Sequence, residues 1–332
     1  MNAKVAVLGA GAWGTTLANL MANKEYQVVL WGRDPERMQQ MRRAGENEHL
    51  LPGIQLSSRL ELTSDLRPTV EGAFCIIAAV PCQYLRSVLE RVEPFLSSGP
   101  RVICASKGIE LTSLKPMSAV VAETLGDKEP VYAVLSGPSF AEEVSQGHPT
   151  VVSLGCEVPV VAEELQQVLA TERFRVYTNE DRVGVELGGA IKNVMALATG
   201  IADGLGFGQN ARAGLITRGL AEMARLGVAM GGRRETFMGL SGIGDLVLTC
   251  TGSLSRNRRV GLRLGGGEGL EEIVSGMRSV AEGVQTADAL RRLGERQGVE
   301  LPVTEQVHAI LYQDKDPGLA VQELMSRDLK SE

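Results

Sequence analysis

The chain has 332 residues, of which 44% are hydrophobic and 22% charged, and its formal net charge is −6. This length is typical of two domains, and the negative charge argues against nucleic acid as the main partner. Residues 211–263 are the exception, because nine arginines and three acidic residues give this segment a local charge of +6. An anionic ligand would explain this cluster, as would a set of exposed helix arginines.

Residues 5–23 carry no charge, but glycines, threonines and asparagines interrupt the apolar sequence, and no basic leader or cleavage site is recognisable. We therefore expect a cytoplasmic protein without a membrane span. The five cysteines form no CxxC pair and are expected to be reduced core residues. With only three histidines, no metal site is predicted.

The first predicted strand, Lys4–Leu8, leads directly into Gly9-Ala10-Gly11-Ala12-Trp13-Gly14, and Thr15–Ala22 is predicted to be a helix. In such a unit Gly9 permits a tight turn, Gly11 lets a pyrophosphate approach the backbone, and Gly14 lets the helix pack on the strand. The helix N-terminus favours negative charge. The glycine motif alone is weak evidence, but its position between a strand and a helix predicts dinucleotide binding.

The second predicted strand, Gln27–Trp31, is followed by Gly32-Arg33-Asp34. A carboxylate directly at this end would accept hydrogen bonds from the ribose 2′-hydroxyl of NAD(H), whereas an arginine can bind the 2′-phosphate of NADP(H). Arg33 therefore favours NADP(H), and Asp34 leaves NAD(H) open.

Three more apolar strands each end in a polar or glycine-containing turn. They are Ala73–Val80 before Pro81, Arg101–Ala105 before Ser106-Lys107-Gly108, and Val131–Leu135 before Ser136-Gly137-Pro138-Ser139. Alternating strands and helices predict a Rossmann-type, doubly wound and mostly parallel sheet, and the loops after its strands line the ligand crevice. Lys107 is placed there to bind a substrate anion, unless it is an ordinary exposed loop lysine.

Two further strands, Thr150–Leu154 and Arg173–Tyr177, flank a helix at Val160–Leu169 and are expected to complete the sheet. From residue 188 onward helical patterns dominate, as at Gly214–Met230, Gly269–Ser275, Val284–Gln297 and Val303–Gln313. We therefore divide this α/β chain into a dinucleotide-binding domain at 1–187 and an all-α substrate and catalytic domain at 188–332. No flexible linker separates them, so a helix is expected to join them.

That connecting helix is predicted to run from Arg182 to about Gly204, and Lys192 is its only ionisable side chain between Glu186 and Asp203. On a 3.6-residue period its face is shared by Gly188, Gly189, Asn193 and Ala196. Burial lowers the pKa of a lysine toward neutrality, which suits a general acid or base. The alternative is a lysine that snorkels from a core helix to solvent.

A polar segment follows in the second domain, from Ser241-Gly242-Ile243-Gly244-Asp245 to Ser253-Leu254-Ser255-Arg256-Asn257-Arg258-Arg259. Its hydroxyls, its amide and its three arginines are the donors that a phosphate monoester requires, although basic helix starts also occur without ligands. Asp245 is isolated among small and apolar residues. It is expected either to pair with Lys192 or to cap the helix that follows it.

Several long motifs occur in a characteristic order, namely GAGAWGTTLA, ASKGIE, LSGPSFAEEV, GAIKNVMALATGIADGLGFGQNARAGLITRGLAEM, GLSGIGDLVLTCTGSLSRNRRVG and AEGVQTA. Together they resemble the bacterial NAD(P)H-dependent glycerol-3-phosphate dehydrogenase family nearly from end to end. The resemblance implies an oxidoreductase that interconverts dihydroxyacetone phosphate and sn-glycerol 3-phosphate by hydride transfer with NAD(P)H. It also implies a role in supplying glycerol phosphate for phospholipid synthesis.

The resemblance extends to individual residues. Lys192 matches the catalytic proton acceptor for the C2 hydroxyl. Substrate positions are matched by Lys107, Gly137, Ser139, Lys192, Asp245, Ser255, Arg256 and Asn257. With the glycine motif, the cofactor positions are Gly9, Gly11, Ala12, Trp13, Gly14, Arg33, His49, Lys107, Ala141, Arg256, Val280 and Glu282, although His49 also fits an ordinary surface loop. Ala12 and Gly252 stand where relatives often carry serine, which puts only a minor hydroxyl contact in doubt.

Two other functions stay open. A dehydrogenase of the same two-domain plan that acts on a β-hydroxy acid would also place a Lys-Asn pair on a helix, but the arginine-rich segment favours phosphate over carboxylate. A redox sensor that binds NADP(H) without turnover would have no use for Lys107, Lys192 and Asp245 together. The expected partner is a small phosphate substrate, with no nucleic acid and no stable membrane insertion, and a homodimer is left open.

Overall fold

The structure is a computed structural model that describes residues 3–277 and 281–329. Its first part alternates strands and helices. In chain order these are β1 (Lys4–Leu8), α1 (Ala12–Asn23), β2 (Gln27–Trp31), α2 (Pro35–Ala44), β3 (Glu46–Asn47), β4 (Leu51–Gln55), β5 (Leu60–Thr63), α3 (Leu66–Val70), β6 (Cys75–Ala78), α4 (Cys82–Val92), β7 (Arg101–Cys104), α5 (Met117–Leu125), β8 (Val131–Ser136), α6 (Ala141–Ser145), β9 (Thr150–Cys156), α7 (Pro159–Leu169) and β10 (Phe174–Asn179), with 3-10 turns at Glu93–Phe95 and Gly126–Lys128.

Eight of these strands form one sheet in the order β10-β9-β8-β7-β6-β1-β2-β5. Neighbouring strands are parallel except β8 and β9, which the chain joins through the short helix α6. The predicted doubly wound and mostly parallel sheet is therefore confirmed. The sequence did not predict the edge strand β5 or the β3–β4 hairpin, because these short strands, unlike β1 and β2, are not continuous apolar runs.

Alternate residues of the central strands supply two separate cores. Val5 and Val7 of β1 pack with Leu17 of α1 on one face of the sheet. Ala6 and Leu8 of the same strand belong to the core on the other face. Because successive side chains of a strand point to opposite faces, these uninterrupted apolar strands require helices on both sides. All five cysteines are buried free thiols, as expected.

The remainder of the described chain after β10 is helical, which confirms the predicted all-α part. It comprises α8 (Arg182–Gly204), α9 (Gln209–Ala229), α10 (Arg234–Phe237), a π-helical turn (Leu240–Gly244), α11 (Asp245–Thr251), α12 (Arg256–Gly265), α13 (Leu270–Ser275), α14 (Glu282–Gln297), α15 (Pro302–Tyr312) and α16 (Pro317–Met325). In the described ranges no single helix has the length and hydropathy of a membrane span. One bent pair, 234–251 with 256–265, has the length and composition, and its helices pack against α8.

Helix α8 joins the two halves, as expected, with the predicted bounds. It contacts β8 and β9 of the sheet and packs against α9, α11, α12, α14 and α15. Every residue from Gly184 to Ala202 is buried. Asp181 caps the helix by accepting a hydrogen bond from the amide of Gly184 at 2.8 Å. The division into domains at 187 and 188 stays a prediction, since α8 runs through that position without a break.

Candidate active site

Lys192 lies in the middle of α8 and is only 7% exposed, so the expected burial is observed and the snorkelling alternative is wrong. Its Nζ donates to Oδ1 of Asp245 and, at 2.9 Å, to Oγ1 of Thr249. Asp245 is the first residue of α11, and its side chain does not cap that helix. Of the two expectations for Asp245, pairing with Lys192 is therefore the one observed.

Asp245 also binds a second lysine. Nζ of Lys107 lies 2.7 Å from Oδ2 of Asp245 and 3.5 Å from the carbonyl oxygen of Gly137. The Lys107 side chain, in the loop after β7, is 15% exposed, so it is not an ordinary surface lysine. One buried carboxylate thus binds two ammonium groups, one from α8 and one from the loop after β7.

This arrangement adjusts the charge state of Lys192. Burial lowers the pKa of Lys192, the Asp245 carboxylate opposes that effect, the Lys107 ammonium reinforces it, and the resulting pKa is about 8. Burial alone would raise the pKa of Asp245, but the two ammonium groups together hold it below its usual value. Lys192 can therefore exchange a proton near neutral pH while Asp245 stays ionised. The described residues contain no group of three His, Cys, Asp or Glu side chains that could hold a metal ion.

Two glycines shape the loops around Lys107. Gly108 has a φ of +150°, and Gly137, at the end of β8, has a φ of +138°. A side chain at Gly137 would also bring its Cβ within 2.9 Å of the backbone of Val152, so only glycine fits. The Gly137 carbonyl accepts a hydrogen bond from Ser139 Oγ at 3.0 Å. The Gly137 carbonyl therefore accepts from Ser139 and from Lys107, and Lys107 links it to Asp245.

The predicted anion-binding segment lies at the start of α12. Ser255 is the N-cap of this helix, and its Oγ accepts a hydrogen bond from the amide of Arg258 at 3.2 Å. Asn257 Oδ1 accepts from the amide of Gly283 at 3.0 Å, which links the first turns of α12 and α14. Two helix N-termini, each with a field that favours anions, therefore meet here.

Arg256 and Glu282 lie at this same junction. Burial raises the pKa of the Glu282 carboxyl, and the positive charges of Arg256, Lys107 and Lys192 oppose that rise. Glu282 is thus within electrostatic reach of both lysines and of the exposed Arg256. Arg258, one of the three arginines in the segment that the sequence offered as phosphate donors, does not join them. Its guanidinium binds the buried carboxylate of Asp203 instead.

The glycine motif forms the predicted turn between β1 and α1. Gly9 has a φ of +118°, and a Cβ there would lie 2.7 Å from a carbonyl oxygen of Ala79. A Cβ at Gly14 would lie 1.9 Å from the carbonyl oxygen of Gly9. A Cβ at Gly11 would meet no protein atom within 4 Å. Packing therefore explains the first and third glycines, whereas the second borders open space at the start of α1, where Ala12 and Trp13 are the first two residues.

The side chains after β2 differ in how they are engaged. Asp34 is the N-cap of α2, and its Oδ1 accepts from the amides of Glu36 and Arg37 at 3.0 and 3.2 Å. Arg33 is exposed, and its guanidinium lies 5.8 Å from the ring centre of Tyr84. Both residues are exposed, but Asp34 is engaged as the cap of α2, whereas Arg33 does not take part in capping that helix.

Three predicted cofactor residues remain, and the structure describes two of them. Ala141 is the first residue of α6, and its carbonyl accepts from Thr16 Oγ1 at 3.2 Å, which places it against α1. His49 is exposed in the turn between β3 and β4. Val280 lies outside the described residues.

Sequence reasoning missed three polar residues. Thr249 contacts the Lys192 amine, and its position four residues after Asp245 on a helix could have revealed it. Below the glycine turn, Arg37 Nη2 donates to the Ala10 carbonyl at 3.3 Å and to Asn47 Oδ1 at 3.2 Å. No local sequence pattern indicates that Arg37 and Asn47 contact the glycine turn, because only the tertiary fold brings them to it.

Known proteins are similar to this chain in sequence and in fold. Two family models match, described as NAD-dependent glycerol-3-phosphate dehydrogenase N-terminus over residues 4–162 and C-terminus over residues 181–322. A protein of Solidesulfovibrio magneticus named glycerol-3-phosphate dehydrogenase [NAD(P)+] is 56% identical over 329 residues, covering 99% of this chain and 100% of that one. A protein of the same name from Nitratidesulfovibrio vulgaris is 54% identical with the same coverage.

Among solved structures, the glycerol-3-phosphate dehydrogenase of Coxiella burnetii superposes with a TM-score of 0.95 at 43% identity, covering 98% of this chain and 99% of that one. Together the two matched models extend over both the sheet domain and the helices that carry Lys192, Asp245 and Asn257. The chain therefore belongs to the NAD-dependent glycerol-3-phosphate dehydrogenase family.

Proposed function

We propose that this chain is an oxidoreductase that interconverts dihydroxyacetone phosphate and sn-glycerol 3-phosphate with NAD(P)H, and that it supplies glycerol phosphate for phospholipid synthesis. Family membership and the relatives named glycerol-3-phosphate dehydrogenase [NAD(P)+] support this reaction. The single observation that carries the proposal is the buried Lys107–Asp245–Lys192 cluster beside the converging starts of α12 and α14.

Lys192 is the proposed proton-transfer group. During reduction its ammonium donates a proton to the carbonyl oxygen of dihydroxyacetone phosphate as hydride arrives at C2. During oxidation its neutral amine accepts the C2 hydroxyl proton as hydride leaves. A pKa of about 8 makes both forms accessible near neutral pH. Asp245 and Thr249 hold the amine in place through their hydrogen bonds, so its proton is directed to one position.

The phosphate of the substrate is proposed to bind where α12 begins. Arg256 supplies a guanidinium, Asn257 an amide group and Ser255 the capped first turn, and the helix N-terminus adds a favourable field. Lys107, Gly137 and Ser139 are proposed to contact the substrate from the opposite side. An anchor at the phosphate and a proton donor at C2 would hold a three-carbon substrate at one end and at its reacting central carbon.

The nicotinamide cofactor is proposed to bind along the glycine turn, where it supplies or accepts the hydride. The open space beside Gly11 fits a pyrophosphate, since no packing within the protein requires glycine there. Residues Ala12, Trp13, Gly9, Gly14, Arg33, His49, Ala141 and Glu282 are the proposed contacts. We favour NADP(H) over NAD(H), because Arg33 is exposed after β2 while Asp34 is engaged as the cap of α2.

A spectrophotometric assay of dihydroxyacetone phosphate reduction with NADPH and NADH side by side tests the proposal. We expect nucleotide oxidation with both and a higher kcat/KM with NADPH. Absence of any absorbance change with either nucleotide would reject the proposed reaction. Equal efficiency with both nucleotides would reject only the cofactor preference. We also propose that the protein is cytoplasmic. Light scattering on the purified protein would distinguish a monomer from the homodimer that the sequence leaves open.

A further inference from the structure

Asp203, near the end of α8, is a buried carboxylate outside the cluster around Lys192. Its Oδ1 accepts hydrogen bonds from Nε and Nη2 of Arg212 on α9, at 3.0 and 2.6 Å. Its Oδ2 accepts from the same two atoms of Arg258 on α12, again at 3.0 and 2.6 Å. The Asp203 side chain is 6% exposed. One carboxylate therefore links α8, α9 and α12 through four charge-assisted hydrogen bonds.

Of these three helices, α8 and α12 are already in backbone contact. A Cβ at Gly200 of α8 would lie 2.2 Å from the carbonyl oxygen of Arg258, and a Cβ at Gly265 of α12 would lie 2.2 Å from that of Ile201. Such close contact sets the separation of the helix axes. The arginine pair with Asp203 then resists sliding and rotation of α12, because a guanidinium binds a carboxylate in a defined geometry.

The contact between Asp203 and Arg258 lies beside the proposed phosphate site. Arg258 follows Asn257 and Arg256 in the first turn of α12, and its amide is the one that Ser255 caps. Lys192 precedes Asp203 by eleven residues on the same helix, a distance of about 16 Å along the helix axis. The same rigid helix thus carries the proposed proton donor and the anchor of the phosphate-binding turn.

We propose that Asp203 is a positioning residue that, through Arg258, holds Arg256 and Asn257 at the distance from Lys192 that suits a phosphorylated three-carbon substrate. This inference deepens the proposed function and rests on it for the identity of the substrate. Asp203 also accepts two hydrogen bonds from each of Arg258 and Arg212 and offsets one of their two positive charges. Both guanidinium groups are thereby kept from forming a competing anion site next to the productive one.

If the role of Asp203 is purely structural, its replacement should lower kcat/KM for all substrates alike. If Asp203 positions the phosphate site, its replacement should lower kcat/KM only for a substrate that carries a phosphate. The discriminating experiment compares Asp203→Asn with the wild-type enzyme on dihydroxyacetone phosphate and on dihydroxyacetone, which lacks the phosphate. We expect kcat/KM for the phosphorylated substrate to fall about ten-fold, because a displaced anchor misaligns the reacting carbon. The kcat/KM for dihydroxyacetone should stay within about two-fold, since that reaction does not use the anchor.

A matched control is Glu268→Gln, which removes the exposed ion pair with Arg263 at the other end of α12. It should change neither kcat/KM value. Equal losses on both substrates in Asp203→Asn, or no loss on either, would overturn the positioning role. If Asp203→Asn does not fold, Arg258→Lys replaces it, because it keeps the charge but loses the two-donor geometry, and the same selective loss is expected.

Calorimetric titration with inorganic phosphate separates this inference from the proposed reaction. Phosphate should bind the wild-type protein several-fold more tightly than Asp203→Asn, whether or not dihydroxyacetone phosphate is reduced. Tighter phosphate binding by the wild type than by Asp203→Asn, without reduction of the substrate, would reject the reaction while supporting the role of Asp203. Equal phosphate affinities of the wild-type and variant proteins would reject the role of Asp203, even if the enzyme is active.

Discussion

Lys107 and Asp245 are separated by 138 residues in the chain, yet Nζ of the lysine lies 2.7 Å from Oδ2 of the aspartate. The contact joins the loop after β7 to the first turn of α11, so it crosses from the sheet domain to the helical part. The other oxygen of the same carboxylate binds Lys192. The protonation of Lys192 therefore depends on both parts of the molecule.

Replacing the proposed proton donor should abolish most of the turnover. In Lys192→Ala we expect kcat to fall roughly 10²–10⁴-fold, the usual contribution of a general acid or base. The dissociation constant of NADPH, measured by nucleotide fluorescence, should change little because Lys192 lies on α8 rather than at the glycine turn. Lys115→Ala, which removes an exposed ion pair with Glu123, is the control. Full activity of Lys192→Ala would show that another group transfers the proton.

The pH dependence should have opposite signs in the two directions. Reduction requires the Lys192 ammonium, so kcat/KM for dihydroxyacetone phosphate should fall as pH rises through about 8. Oxidation requires the neutral amine, so kcat/KM for glycerol 3-phosphate should rise through about the same pH. Initial rates measured in both directions across this range test the assignment. Parallel profiles in the two directions would contradict it.

Cofactor preference should depend on Arg33 and not on Asp34. In Arg33→Ala we expect the KM for NADPH to rise about ten-fold, the effect of losing one charge-assisted hydrogen bond, while the KM for NADH is unchanged. Asp34→Ala should lower stability by about 1 kcal/mol through loss of the α2 cap, without altering the preference. Kinetics with each nucleotide and thermal denaturation of both variants separate these effects. A KM for NADPH that is unaffected in Arg33→Ala would place the 2′-phosphate elsewhere.

Glu222 of α9 should make stability depend on pH. Its carboxylate accepts hydrogen bonds from the amides of Val303 and Thr304 at the start of α15, and burial raises its pKa to about 7. Between the ordinary pKa of 4.5 and a pH of about 7, the folded state therefore keeps a proton on Glu222 that the unfolded state has released. The resulting stabilisation is complete below pH 4.5 and is lost as pH rises through about 7.

Glu222→Gln removes this titration. Its free energy of unfolding should therefore vary less than that of the wild type between pH 5 and 8, by up to about 3 kcal/mol. Urea denaturation at several pH values within that range measures the difference. Identical pH dependence in the two proteins would mean that Glu222 has an ordinary pKa in the folded state.

Local sequence signals predicted much of the fold. The strands Lys4–Leu8 and Gln27–Trp31 and the helix Arg182–Gly204 have the predicted bounds, because apolar runs and the glycine turn mark them without help from distant residues. The antiparallel pairing of β8 with β9 and the edge strand β5 did not follow from such signals. Strand direction and edge pairing are decided by where the rest of the chain packs.

The sequence by itself determined the family, the glycine turn and the choice of Lys192, because motifs and residue spacing are properties of neighbours along the chain. Only the tertiary structure decided that Asp245 binds Lys107 as well as Lys192, and that Arg258 is held by Asp203 rather than offered to an anion. The physical reason is that charge state and pairing depend on burial and on distances between residues far apart in the chain, which no local pattern encodes.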